Sequence, residues 1–115
     1  MNNTIKSEQI KQNLDQGIPM TLVEALPERY FAAGHLPGAL NIPHDEIRAR
    51  AAEQLPDNEA LIVVYCASSS CQNSKMAAKI LAQMGYVNVR EFVDGKQGWE
   101  EAGYPLELAN TGAEV

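Results

Sequence analysis

Leu61-Ile62-Val63-Val64-Tyr65 runs directly into Cys66-Ala67-Ser68-Ser69-Ser70-Cys71-Gln72-Asn73-Ser74, and this junction decides how the rest of the chain is read. The first segment is continuously apolar and rich in β-branched side chains, with no polar alternation. Such a run predicts a strand buried on both faces, as in the middle of a parallel sheet. The second segment carries no charge and is built mostly from small side chains that let the backbone curl tightly. After it, Ala77, Ile80, Leu81 and Met84 recur at helical spacing, and Gly85 closes that helix.

The same alternation extends outward from the junction. Ser7 is placed to cap a helix over residues 8–16, with Ile10 and Leu14 on one face and Gly17 as its stop. Residues 20–24 read as a short apolar strand. Pro27 suits the opening turn of a helix that runs to Ala33 and ends at Gly34. Pro37-Gly38 fits the centre of a type II turn, since glycine accepts the positive φ required there. A brief strand over 40–42 precedes a helix over 45–54, which Pro56-Asp57-Asn58 breaks. Residues 87–92 read as another strand, and a last helix holds Trp99. Strands separated by helices predict an α/β fold, a three-layer arrangement of a parallel sheet with helices on both faces. Sites in such sheets lie beyond the strand C-termini, where Cys66 falls. Residues 107–115 have no periodic apolar pattern and read as a tail to a single domain over 1–106.

At 115 residues, 45% hydrophobic and 21% charged, the chain suits one globular domain and excludes a disordered or disulfide-dense scaffold. Fifteen acidic against nine basic residues give a net charge of −6, which disfavours nucleic acid and anionic membrane surfaces as partners. The longest apolar run, Ala60 to Ala67, has eight residues, far short of the ~18 needed to span a membrane. The N-terminus has no apolar signal-peptide core, so a cytoplasmic, reducing setting is expected. The two cysteines, Cys66 and Cys71, are then expected to be reactive or buried rather than a structural bridge.

A strand that ends in a tight loop and then a helix can turn several backbone N–H groups inward and cradle an anion. A cysteine at the base of that cradle ionises more easily, because its thiolate is held by those donors. Cys66 is therefore the candidate nucleophile. The N–H groups of Ala67, Ser68, Ser69, Ser70, Cys71 and Gln72 are the candidate anion-binding loop.

Val64-Tyr65-Cys66, Ala77-Ala78, Gly85-Tyr86, Asp94-Gly95, Trp99 and Ala102-Gly103-Tyr104-Pro105 together resemble a single-domain rhodanese. Gly34-His35-Leu36-Pro37-Gly38-Ala39-Leu40-Asn41-Ile42-Pro43 is similar to that family's most recognisable turn. The resemblance covers roughly residues 4 to 106. It implies a central five-stranded parallel sheet and sulfurtransferase chemistry through a persulfide on Cys66, with no metal and no organic cofactor. The partners it implies are a small sulfur donor, thiosulfate or a persulfide, and a thiol acceptor that includes protein thiols. The chain departs from the family in three places. Cys71 and Ser69 stand where a basic residue and a glycine are usual, which gives a Cys-x4-Cys loop and disfavours thiosulfate, a dianion, as donor. The loop is two residues longer when Ser74 is matched to the family's serine at the helix start. Glu24-Ala25-Leu26, or Val23-Glu24-Ala25, replaces the usual Asp-x-Arg.

Cys71 reads either as a resolving thiol that closes a disulfide with Cys66 or as a small packing residue. Zinc is not implied, because the spacings of Cys66, Cys71, His35 and His44 do not match structural zinc sites. His35 reads as a structural hydrogen-bonder and Trp99 as a packing anchor. Glu46, Arg48 and Arg50 read as a solvated face, and Lys75 as a charge that could attract an anionic donor. Phosphatase or arsenate-reductase chemistry needs an arginine closing the loop, and none occurs between Cys66 and Arg90. A dithiol redox protein and a non-catalytic binding module stand as alternatives to sulfur transfer.

Overall fold

The computed structural model describes residues 3–108. It contains α1 (Ser7–Gln16), β1 (Thr21–Glu24), α2 (Glu28–Ala33), β2 (Leu40–Asn41), a 3-10 turn (His44–Glu46), α3 (Ile47–Gln54), β3 (Ile62–Tyr65), α4 (Asn73–Gln83), β4 (Val89–Phe92) and α5 (Gly95–Glu101). The strands form one parallel sheet in the order β2-β1-β3-β4. The run 61–65 is thus an interior strand, and every residue of β3 is buried.

The strand residues divide between two cores, as period-two alternation requires. Val23, Ile62 and Val64 face Ile47, Ala51, Ala77 and Leu81 of α3 and α4. Leu22, Val63, Tyr65 and Phe92 face Ile10 of α1 and Trp99 of α5. The helices therefore cover both faces, which is the three-layer arrangement expected. Trp99 is 1% exposed and donates its indole N–H to the Pro105 carbonyl at 2.8 Å, so the anchor role holds.

The expected fifth strand shrinks to a single parallel bridge, Thr4 to Glu91. Two hydrogen bonds make it, Ile5 N–H to the Glu91 carbonyl at 3.1 Å and Glu91 N–H to the Asn3 carbonyl at 2.8 Å. Among the described residues, four precede α1, which begins at Ser7. Ser7 is itself the first helical residue; Lys6 occupies the cap position and makes no side-chain capping bond. Pro27 likewise sits at the cap of α2, one residue ahead of the expected place. The helix expected over 45–54 opens as the 3-10 turn before α3 begins at Ile47.

The Pro37-Gly38 turn forms as read, with Gly38 at φ 76° and Ala39 N–H bonded to the Leu36 carbonyl at 3.1 Å. His35 fixes this turn to the chain end. Its backbone exchanges two hydrogen bonds with Glu107, at 2.9 and 2.8 Å, and its Nδ1 lies 3.0 Å from the Phe31 carbonyl. Its ring also stacks on Phe31 with centroids 3.9 Å apart. Glu107, the first residue of the expected tail, is therefore tied into the fold, while residues 109–115 lie outside the described residues. No helix among the described residues is long and apolar enough to cross a membrane.

Candidate active site

Cys66 follows the last residue of β3 at the C-terminal end of the sheet and is 1% exposed. α5 holds this strand end in place. Its first-turn N–H groups lack helical partners. Lys96 N–H donates to the Cys66 carbonyl at 3.0 Å, and Gln97 N–H to the Ala67 carbonyl at 2.9 Å. Carbonyl and N–H point opposite ways across a peptide. The N–H groups of Ala67 and Ser68 are therefore directed away from α5.

Gly95 allows this close approach. At φ +65°, a Cβ there would stand 2.5 Å from the Cys66 carbonyl oxygen and 2.8 Å from Ser68 N. No side chain fits in that space.

The loop joins β3 to α4 as expected, except that Asn73 and Ser74 already belong to α4, and its donors are not all free. Cys71 N–H bonds the Ser68 carbonyl at 3.1 Å and closes a tight turn. Ser68 and Ser70 hydroxyls pair at 3.1 Å. Ala67, Ser69, Ser70 and Gln72 are exposed, and Ser68 and Cys71 half-buried. The structure joins Cys66 and Cys71 in a disulfide, with Cα atoms 6.4 Å apart. That separation lies within the reach of a bridge.

On the α4 side, Ser74 is 1% exposed, and its Oγ lies 3.5 Å from Cys66 Sγ. The Ser74 hydroxyl donates to Glu91 Oε2 at 2.8 Å. On the other side of the sheet sits a buried ionic cluster. Glu24 has no exposed surface. It accepts from Lys96 Nζ at 3.0 Å and from the Tyr65 hydroxyl at 3.0 Å. Lys96 Nζ also donates to the carbonyls of Tyr30 at 2.9 Å and Gly34 at 2.8 Å, while Tyr65 Oη accepts from Leu36 N–H at 3.1 Å. Burial pushes the Glu24 carboxyl above the usual range, against the opposing pull of Lys96 and Tyr65. Burial, with the Glu24 charge beside it, raises the Tyr65 phenol as well.

Sequence reading saw Glu24 as part of a substituted motif and did not connect it to Lys96 or Tyr65. A lone carboxylate ending an apolar strand was the available signal. Glu91 carried no signal, because its partner lies 17 residues away on another element. Arg48 bonds Gln83 at 2.8 Å, and Arg50 pairs with Glu46 at 2.7 Å on the surface. Lys75 lines a groove of about 310 Å³ together with Lys79 and Glu91.

The rhodanese-like domain family matches residues 6–102. A sulfurtransferase of Allochromatium vinosum is 32% identical over 106 residues, covering 92% of this chain and 95% of that protein. An HTH-type transcriptional regulator of Mycobacterium tuberculosis is 38% identical over 88 residues. That match covers 76% of this chain, and the chain spans only 38% of the regulator's length. The solution structure of a rhodanese-like domain from an Anabaena protein superposes with a TM-score of 0.83 at 25% identity, covering 100% of this chain and 88% of that one. With a parallel sheet wrapped by helices and a cysteine at the end of its interior strand, the chain belongs to the rhodanese-like domain family.

Proposed function

We propose that the protein is a rhodanese-type sulfurtransferase that moves sulfane sulfur through a persulfide on Cys66. The observation that carries this reading is the placement of Cys66: at the C-terminal end of the interior strand, 1% exposed, with an uncharged loop curling away from it. Cys66 as thiolate bonds to the outer sulfur of a small donor, thiosulfate or a persulfide R–S–SH. The bond behind that sulfur breaks, and sulfite or R–S⁻ leaves with the electron pair. An acceptor thiolate, free or on a protein, then attacks the outer sulfur. The Cys66 sulfur leaves as thiolate, so the cycle needs no oxidant, metal or organic cofactor. Backbone N–H groups of the 67–72 loop hold the transferred anionic sulfur. The absence of a loop cation favours a persulfide over thiosulfate as donor.

The Cys66–Cys71 disulfide supports a resolving role for Cys71. Cys71 thiolate attacks Cys66 Sγ of the persulfide, the disulfide forms, and the outer sulfur departs as hydrosulfide. A first external thiol opens the bridge as a mixed disulfide, and a second resolves it, so that the two thiols leave joined as a disulfide and both cysteines are reduced. A pure dithiol redox protein is the second reading that the same bond favours.

The test measures thiocyanate formation from thiosulfate and cyanide, and again with glutathione persulfide as donor, alongside the intact mass of unreduced protein. Sulfur transfer predicts a +32 Da species (one sulfur) on Cys66, turnover abolished in Cys66→Ala, and turnover partly kept in Cys71→Ala. Equal abolition by both substitutions supports the redox reading instead.

A further inference from the structure

Ser74 stands between the Cys66 sulfur and a carboxylate, and a hydroxyl has one proton to donate. That proton goes to Glu91, at 2.8 Å, while the sulfur lies at 3.5 Å. Ser74 therefore turns a lone pair toward Sγ, which is bonded to Cys71 in this structure; once the bridge is reduced, the same orientation faces the Cys66 thiol. A lone pair suits the protonated thiol, which can donate to it, and repels a thiolate. The carboxylate charge behind Ser74 acts in the same direction. From this geometry, we infer that Glu91 is a positioning residue for the nucleophile: by holding the Ser74 proton it raises the pH at which Cys66 becomes a thiolate.

The charges around this trio are accounted for. Lys75 and Lys79 of α4 share the groove with Glu91. The N-terminal segment packed on β4 contributes backbone groups of Asn3 and Ile5. His44 lies in the 3-10 turn packed against α4. Lys96 is committed to Glu24 and two carbonyls on the far face, and Asp94 stands 3.9 Å from Lys6. Ser74 Oγ lies within hydrogen-bond reach of Sγ, and the carboxylate of Glu91 accepts its hydrogen bond.

The inference deepens the sulfur-transfer reading and rests on Cys66 being its nucleophile. A more basic thiolate is a stronger nucleophile and a poorer leaving group. Glu91 thereby slows the loss of captured sulfur to weak acceptors, while leaving a smaller thiolate fraction for capture at neutral pH. When Cys66 reacts as a thiol, its proton goes to solvent or to the departing thiolate, and no redox change is required.

The experiment follows iodoacetamide alkylation of Cys66 against pH, using reduced protein in a Cys71→Ser background. With Glu91→Gln the charge is gone, and the amide can donate to Ser74 Oγ, which frees the hydroxyl proton for the sulfur. The midpoint is expected to fall by about one pH unit; well below it the thiolate fraction rises roughly tenfold and, because the less basic thiolate is the weaker nucleophile, alkylation speeds up about threefold. Glu91→Ala should give the same direction and guards against a folding defect specific to glutamine. In a Ser74→Ala background the effect of Glu91→Gln should shrink by more than half. An unchanged midpoint in both Glu91 variants overturns the inference. So does an equal fall with and without the Ser74 hydroxyl, because charge acting through space needs no hydroxyl. Alkylation requires no sulfur transfer, so a protein inactive toward every donor sinks the proposed function and leaves this measurement readable.

Discussion

Glu24 and Glu91 flank the strand that delivers Cys66, one on β1 and one on β4, and they are held in opposite ways. Glu24 pairs in register with Tyr65, and Glu91 with Val64. Glu24 faces the α5 side, fully buried, with an ammonium group and a phenol on its oxygens. Glu91 faces the α4 side, half-exposed, with a single hydroxyl from Ser74 between it and the sulfur. The first carboxylate is enclosed by partners that also bond the backbone of residues 30, 34 and 36, and so fix backbone positions. The second reaches the sulfur through one movable proton. A carboxylate beside this strand end is thus bound up in architecture or left within reach of the sulfur according to what saturates it.

The largest effect is expected where the enclosed carboxylate loses its cation. Lys96→Met keeps the stem but leaves Glu24 buried without its ion-pair partner, and frees the carbonyls of Tyr30 and Gly34. Removing one partner of a buried pair typically destabilises by about 3 kcal/mol or more. Urea unfolding should show that loss, while Glu91→Gln on the other side should unfold close to wild type. Comparable losses for the two would dissolve the contrast.

Gly95→Ala tests the α5 clamp more locally. The added Cβ meets the Cys66 carbonyl and Ser68 N, at a φ of +65° that disfavours any side chain. Strain and overpacking together should cost about 2 kcal/mol. The loop must also shift, and small misplacements of reacting groups lower turnover roughly tenfold to a hundredfold. Sulfur transfer measured beside urea unfolding should therefore show kcat falling more than stability alone explains. Unaltered turnover would mean that the clamp does not position Cys66.

Most of the fold was legible because its signals are local. The 61–65 run is apolar on every residue, and the 77–84 stripe repeats at helical spacing, so each element declares itself within a few residues. The Pro37-Gly38 turn is set by two adjacent side chains. Among the described residues the fifth strand is reduced to one bridge, because strand existence depends on how many ladder bonds form, and that follows from tertiary docking on β4 that local sequence does not display. The loop was placed from its composition, but the Cys71 N–H bond to Ser68 was not, since turn closure depends on dihedral choices that small residues leave open. Ser74 meets Glu91 and Lys96 meets Glu24 on opposite faces of the sheet, from four separate elements, and no spacing rule links either pair. Their roles follow from strand register and helix docking, which a single sequence does not display.

The smallest predicted effect is also the most diagnostic of Glu24. Its carboxyl titrates above the ordinary 4.5, with burial the largest cause and Lys96 opposing it. The folded protein therefore binds this proton more tightly than the unfolded chain does. The stabilisation belonging to the protonated form is fully present below the unfolded value and is lost as pH rises through the raised one. Glu24→Gln has no such titration. The stability of wild type minus that of Glu24→Gln should thus be greatest in acid and decline toward neutrality, which paired urea midpoints from acid to neutral pH will measure. A difference that instead grows with pH would mean that Lys96 and Tyr65 outweigh burial. The cluster would then stabilise the charged carboxylate instead of merely tolerating it, and the Lys96→Met loss should rise with pH in the same proportion.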